Sequence, residues 1–270
     1  VLPPIVSSEW LRGHAEDVVL ADVRFYLDGR SARAAYDASH LPGAVFVDLE
    51  RWLSAPATPQ DGRHPLPAPE RFAEGMGACG ISDQTTVVAY DDVGGVIAAR
   101  LVWMLRTSGH DAALLDGGLT AWNGPLETEE HAVTPTTFTP APWPTERLAT
   151  ADDAASRANV LVDARPRDRF LGTPDGIDPR AGHIPGARSV PCREHLAADG
   201  RLQPIPALRD RLQSAGIDGT APVVSYCGSG VTACHNLLVI EHAGLGLGRL
   251  YPGSWSQWSH DTARPAATGE

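Results

Sequence analysis

Lysine is absent from this chain; all 22 basic residues are arginine. Walker-type phosphate loops and Schiff-base chemistry both need a lysine, so both are excluded. Cysteine is scarce, with thiols only at positions 79, 192, 227 and 234 of 270 residues. None belongs to a CxxC pair and none shows metal-ligand spacing, so neither a disulfide scaffold nor a metal site is expected. A reducing, cytoplasmic setting is the expectation that follows. Positive charge is also short: the formal net charge is −11, which argues against a nucleic-acid partner. No apolar run approaches the ~18 residues of a membrane span. The opening "VLPPIVSSEW" lacks the basic and apolar regions of a secretory signal. What remains is a globular composition, 43% hydrophobic and 20% charged, at a length that suits two domains.

The chain repeats itself. "VVAYD" (87–91) and "VVSYC" (223–227) match at an offset of 136, as do "FAEGMGACGI" (72–81) with "LRDRLQSAGI" (208–217). "GGLTAW" (117–122) and "GSWSQW" (253–258) keep the same offset. "VLADVR" (19–24) pairs with "VLVDAR" (160–165), and "HLPGA" (40–44) with "HIPGA" (183–187), at slightly larger offsets. Two copies of one fold are therefore expected over residues 1–123 and 148–270. The proline- and threonine-rich stretch 124–147 reads as an extended linker. Each copy alternates short β-branched strands with helix-period segments, two of which should stop at Gly80 and Gly216, which predicts an α/β fold with a mainly parallel sheet flanked by helices. Ligands then belong at the carboxyl ends of the strands.

The repeat also sorts the candidate residues. Cys79 stands where the second copy has Ala215, which marks it as packing. His40 and His183 both precede a Pro-Gly turn, so they read as turn or core residues. Trp122 and Trp258 are equivalent and read as packing. Cys227 differs, because the first copy has Asp91 at its position. "SYCGSGVTAC" (225–234) places this cysteine between a strand and a helix that should end at Gly244, with Gly228 and Gly230 bending the link. Such a loop aims backbone N–H groups at the sulfur, and Ser229 and Thr232 add hydroxyls. A thiolate, not a thiol, attacks or carries sulfur. A shift of about two units in a thiol's titration needs roughly 2.7 kcal/mol of differential stabilisation. Cysteine phosphatases share this strand–loop–helix unit but need an arginine six residues after the cysteine. Here that residue is Ala233, and the phosphatase reading fails.

"CGSGVTA", the paired "HLPGA/HIPGA" turns, "DGGLTAW" and "GSWSQW" together resemble a two-domain rhodanese-type sulfurtransferase over nearly the whole chain. The resemblance implies two tandem rhodanese-like domains, of which only the second carries the cysteine that cycles through a persulfide. The loop is similar to that of the 3-mercaptopyruvate sulfurtransferase branch, since the thiosulfate branch carries Arg and Lys where this chain has Gly228 and Ser229. By resemblance, Cys227 is the nucleophile, and Gly228, Gly230, Val231 and Thr232 shape its loop. Ser229 and His64 then match two members of an acid–histidine–serine relay. Its acidic member falls on Glu50, a departure from the family pattern. Arg169 matches the first substrate arginine. The second falls on Gly176, so Arg180 is the substitute from the same arginine-rich segment; a solvated loop with Arg165 ion-paired to nearby acids is the alternative for that segment. The implied partners are a small-molecule sulfur donor and a thiol acceptor, thioredoxin-like proteins among the candidates, with no metal or organic cofactor and no membrane. The alternatives are a thiosulfate:cyanide sulfurtransferase and a non-enzymatic persulfide-relay module.

Overall fold

The computed structural model describes residues 2–129 and 131–270; Val1 and the linker residue Glu130 lie outside the described residues. The chain divides into two compact units, neither of which is one continuous stretch. The first comprises Val1–Ala55, Leu66–Trp143 and Leu196–Leu202, and the second Pro56–Pro65, Pro144–His195 and Gln203–Glu270. Each unit thus takes a short segment that the repeat alone assigns to the other copy.

The first unit runs β1 (Ile5–Val6), α1 (Ser8–His14), β2 (Val18–Asp22), α2 (Ala32–Ala38) and β3 (Val45–Phe46). It continues with α3 (Leu49–Trp52), α4 (Pro69–Ala78), β4 (Thr86–Tyr90), α5 (Ala99–Thr107) and β5 (Ala112–Leu115). Ser7, Ser31 and Asp48 start helices by accepting N–H groups of the first turn through their side chains. All strand pairs are parallel, in the order β1-β5-β4-β2-β3. Linker residues are strapped to this unit: Thr136 N–H donates to Gly77 O at 2.9 Å, Trp143 Nε1 donates to Pro67 O at 2.8 Å, and Phe138 packs edge-on against Phe72.

The second unit runs α6 (Ala151–Ala155), β6 (Val160–Asp163), α7 (Arg167–Leu171), β7 (Arg188–Ser189) and α8 (Ile205–Ser214). After these come β8 (Val223–Tyr226), α9 (Ala233–His242), β9 (Arg249–Leu250) and α10 (Ser254–Trp258). Its sheet is again parallel, in the order β7-β6-β8-β9. The expected glycine stops hold: Gly80, Gly216 and Gly244 take φ of 73°, 74° and 71° just past α4, α8 and α9. Among the described residues no helix is long and apolar enough to cross a membrane.

The two cores repeat the same polar devices. His40 stacks on Tyr36 and His183 on Phe170, with ring centroids 3.9 and 3.7 Å apart, and each Nδ1 bonds a backbone carbonyl at 2.8 Å. Both histidines are buried core residues just ahead of their Pro-Gly turns, each in an isolated bridge. Tyr90 and Tyr226 each accept the N–H that follows the histidine, from Leu41 and Ile184. A buried ion pair recurs at the end of β2 and of β6: Arg24 meets Asp22 at 2.7 Å and Arg165 meets Asp163 at 2.6 Å. Arg165 is thereby held inside the core. Such pairs return little net energy, but removing one partner strands a buried charge.

His195 and His235 face each other in the second unit, ring centroids 6.0 Å apart and almost wholly buried. Burial pushes His195 down to about 4; burial and the neighbouring His195 charge push His235 down to about 3, against an ordinary 6.5. Below pH 6.5 the unfolded chain takes up these protons and the folded one does not, so stability present above pH 6.5 is lost as pH falls toward 4. The urea midpoint should stay level above about pH 7 and fall below it, with a shallower fall in His235→Asn. Equal slopes in the two proteins would show that this histidine does not carry the effect.

Candidate active site

Cys227 follows β8 directly and is 2% exposed. Its N–H donates to Ser254 Oγ at 3.1 Å, and Ser254 Oγ donates to Tyr251 O at 2.8 Å. Its carbonyl accepts Trp255 N–H at 3.0 Å, while Gly228 O accepts Ser256 N–H at 2.8 Å. The loop is therefore laced to the start of α10. Gly230 bends it, with φ of 77°, and a Cβ there would stand 2.6 Å from Pro252 O. Gly228 lies in the same bend, as expected, but without a positive φ. Its lack of a side chain also leaves room, because a Cβ would meet Arg63 Nη2 at 3.0 Å and the Arg169 guanidinium at 3.6 and 3.7 Å.

Gly230 N–H donates to Cys227 Sγ at 3.1 Å. Among the described residues, the N–H groups of Ser229, Val231, Thr232 and Ala233 make no hydrogen bond. The first unit shows what such a loop holds. Asp91, fully buried at the position equivalent to Cys227, accepts Val93 and Gly95 N–H on Oδ1 at 2.8 and 2.7 Å. Its Oδ2 accepts Ile97 and Ala98 N–H at 2.7 and 2.9 Å. By the 136-residue offset those donors correspond to Ser229, Val231, Ala233 and Cys234. Gly94, with φ of 80°, corresponds to Gly230. One copy of the loop thus closes around a carboxylate and the other around a sulfur.

His64 arrives on the short segment 56–65, which belongs to the second unit. A tight turn bonds Thr58 and Gly62 in both directions, and Arg63 N–H donates to Ser256 Oγ at 2.9 Å. Gln257 Nε2 also donates to Gln60 O. Held this way, His64 Nδ1 lies 2.7 Å from Ser229 Oγ, with both residues buried. The structure thus brings Cys227, Ser229, Gly228, Gly230, Arg169 and His64 into one unit. Val231 buries its side chain, leaving only its backbone for the loop. The Thr232 hydroxyl bonds the Cys192 thiol, which burial and then the Cys227 charge push up to about 12.

One expected residue of the same unit does not join them. Arg180 spends four donors on backbone carbonyls: Nε on Ser259 O, Nη1 on Arg264 O, and Nη2 on Trp258 O and Asp261 O, at 2.6–2.8 Å. It laces residues 258–264 together and cannot also clamp a donor. Glu50 lies exposed on α3 in the first unit, and among the described residues nothing hydrogen-bonds its carboxylate.

Four residues escaped the reading from sequence. Arg63 donates from Nη1 to Asp178 Oδ1 at 2.8 Å, and Arg169 donates from Nη2 to Asp178 Oδ2 at 3.1 Å. Arg169 also pairs with Asp175 at 2.5 Å. Burial opposes ionisation of Asp175, but N–H donors of Ile177 and Asp178 and the Arg169 charge hold its carboxyl below the ordinary range. Arg63 adjoins His64 in "GRHP", and that adjacency was the available signal. Ser254 is the only non-glycine among the described residues with positive φ, 52°. It stands where the first copy has Gly118, at φ 50°, so the repeat itself held the clue.

The family model of the rhodanese-like domain matches residues 7–125 and again 147–261. The chain is 43% identical to a Pseudomonas aeruginosa protein named "Probable 3-mercaptopyruvate sulfurtransferase", over 94% of this chain and 93% of that protein. It is 33% identical to the thiosulfate sulfurtransferase of Cricetulus griseus, over 95% and 92% of the two chains. A solved structure, 3-mercaptopyruvate sulfurtransferase from Leishmania major, superposes with a TM-score of 0.87 at 31% identity, covering 98% of this chain and 76% of that one.

Ser254→Ala removes the acceptor for the buried Cys227 N–H and keeps the left-handed backbone, and should cost about 1–3 kcal/mol in urea unfolding. Ser254→Gly loses the same hydrogen bonds but relieves roughly 1 kcal/mol or more of backbone strain. The glycine variant is therefore expected to be the more stable of the two. The reverse order would mean that the positive φ stores no strain.

Proposed function

The chain belongs to the rhodanese family and is a sulfurtransferase, and from that premise we propose that 3-mercaptopyruvate is its donor and Cys227 its sulfur carrier. The observation that carries the second half is Asp91. Four N–H groups seize its carboxylate in the first copy, so the same backbone around Cys227 suits an anionic thiolate or persulfide.

The Cys227 thiolate attacks the donor sulfur. The new S–S bond forms as the donor's C–S bond breaks, and that electron pair leaves on carbon as pyruvate enolate. The proton that the donor sulfur carried must end on the enolate carbon. Ser229 Oγ, 2.7 Å from His64 Nδ1, forms with it a hydroxyl–imidazole pair suited to moving that proton. The persulfide is left anionic in the loop. A thiolate acceptor, of the thioredoxin type in a reducing cytoplasm, then takes the outer sulfur and restores the Cys227 thiolate; cyanide does so in an assay.

Thiosulfate as donor is the second reading, favoured by the two guanidinium groups at Gly228. The two donors differ at the leaving group, since sulfite departs as a stable anion and an enolate needs a proton. Cys227→Ser should abolish turnover of both. His64→Ala should lower kcat for 3-mercaptopyruvate by about a hundredfold, the usual scale of general acid–base catalysis, and leave thiosulfate turnover within a few fold. Equal losses with both donors would remove His64 from the proton path.

A further inference from the structure

Arg63 holds more donor capacity than its protein partners use. Nη1 meets Asp178, whereas Nη2 and the buried Nε make no hydrogen bond among the described residues. Nη2 is also the atom nearest the empty side-chain position of Gly228, the residue after the sulfur carrier. A guanidinium built only to brace the fold would spend these donors on carbonyls, as Arg180 does. The Arg63 side chain keeps 23% of its surface open and that of Arg169 16%, while Asp178 between them is 2% exposed. Asp178 is therefore a buried spacer that fixes two cations side by side, each partly open toward Gly228.

We infer that Arg63 is the second anion-binding cation of the donor pocket, paired with Arg169, and that Asp178 positions both. The inference rests on Cys227 being the sulfur carrier of a carboxylate-bearing donor. It fills the vacancy left by Gly176 and Arg180 with a residue from the segment that also delivers His64. It also bears on donor choice. Two arginines face two carboxylates, Asp175 and Asp178, so the cluster is neutral before the donor binds. Open N–H groups accept a single carboxylate, while the second charge of a dianion meets the acids uncompensated. Asp178 thereby tilts the pocket toward a monocarboxylate donor.

The test uses the full chain and two small alkylating agents that differ only in charge near the reactive carbon, iodoacetate and iodoacetamide. Their rates at Cys227 are followed by peptide mass spectrometry, beside KM and kcat for 3-mercaptopyruvate and thiosulfate. In Arg63→Ala the iodoacetate-to-iodoacetamide ratio should fall about tenfold, the scale of a lost charge-assisted contact, with the iodoacetamide rate unchanged. KM for 3-mercaptopyruvate should rise about as much while kcat stays within threefold. Arg63→Gln should behave alike, and Arg63→Lys should recover part of the ratio. Asp178→Asn should raise kcat/KM for thiosulfate relative to 3-mercaptopyruvate severalfold. An alkylation ratio unchanged in both Arg63→Ala and Arg63→Gln overturns the inference, and an unchanged donor preference in Asp178→Asn overturns the role of Asp178. A fallen ratio with unaltered 3-mercaptopyruvate kinetics keeps Arg63 as an anion-binding cation and discards the donor reading instead.

Discussion

Backbone N–H groups gathered at the end of a central strand make the constraint on which both units are built. After β4 and after β8 the chain leaves the sheet, turns at a positive-φ glycine and starts a helix, so several donors point inward at one atom site. Buried donors without an acceptor are costly, and an anion at that point satisfies them together. The first unit meets the demand with Asp91. The second leaves it to the sulfur of Cys227, with one N–H already on Sγ and others open. A thiol and a carboxylate thus answer the same structural need.

The repeated cores explain why that geometry can be kept. A parallel sheet holds the strand end rigid, and the stacked histidine, tyrosine hydroxyl and Asp–Arg pair behind it recur in both units with nearly the same distances. These groups fix a turn and a strand end relative to each other. Ser254 adds the one strained element, holding the Cys227 N–H from a backbone conformation that glycine occupies in the first copy. Strain of this kind persists when surrounding hydrogen bonds over-determine the residue, and Ser254 has them on both sides.

The remaining chemistry comes from outside the loop. Residues 58–64 form a small pinned turn that sets His64 on Ser229 and Arg63 beside Gly228. One segment therefore delivers an imidazole and a guanidinium together. Charge around the loop is balanced locally, arginine against aspartate, within a chain that is strongly acidic overall.

Periodicity and internal repetition by themselves determined the two-copy α/β architecture, the helix stops at Gly80, Gly216 and Gly244, the inert role of His40, His183 and Cys79, and the singular place of Cys227. Those features depend on contacts within one element or on a residue's standing against its repeat partner, and both can be read along a line. Tertiary structure alone decided which guanidinium groups reach the loop. Arg180 lies in the expected segment, but carbonyls of 258–264 consume it, while Arg63 lies more than a hundred residues from Arg169 and meets the same aspartate. It also left Glu50 at the surface and made Gly228 a clearance for two guanidinium groups as well as part of the bend. Long side chains choose partners by where the folded backbone places acceptors, and that placement depends on segments exchanged between units that no local pattern encodes.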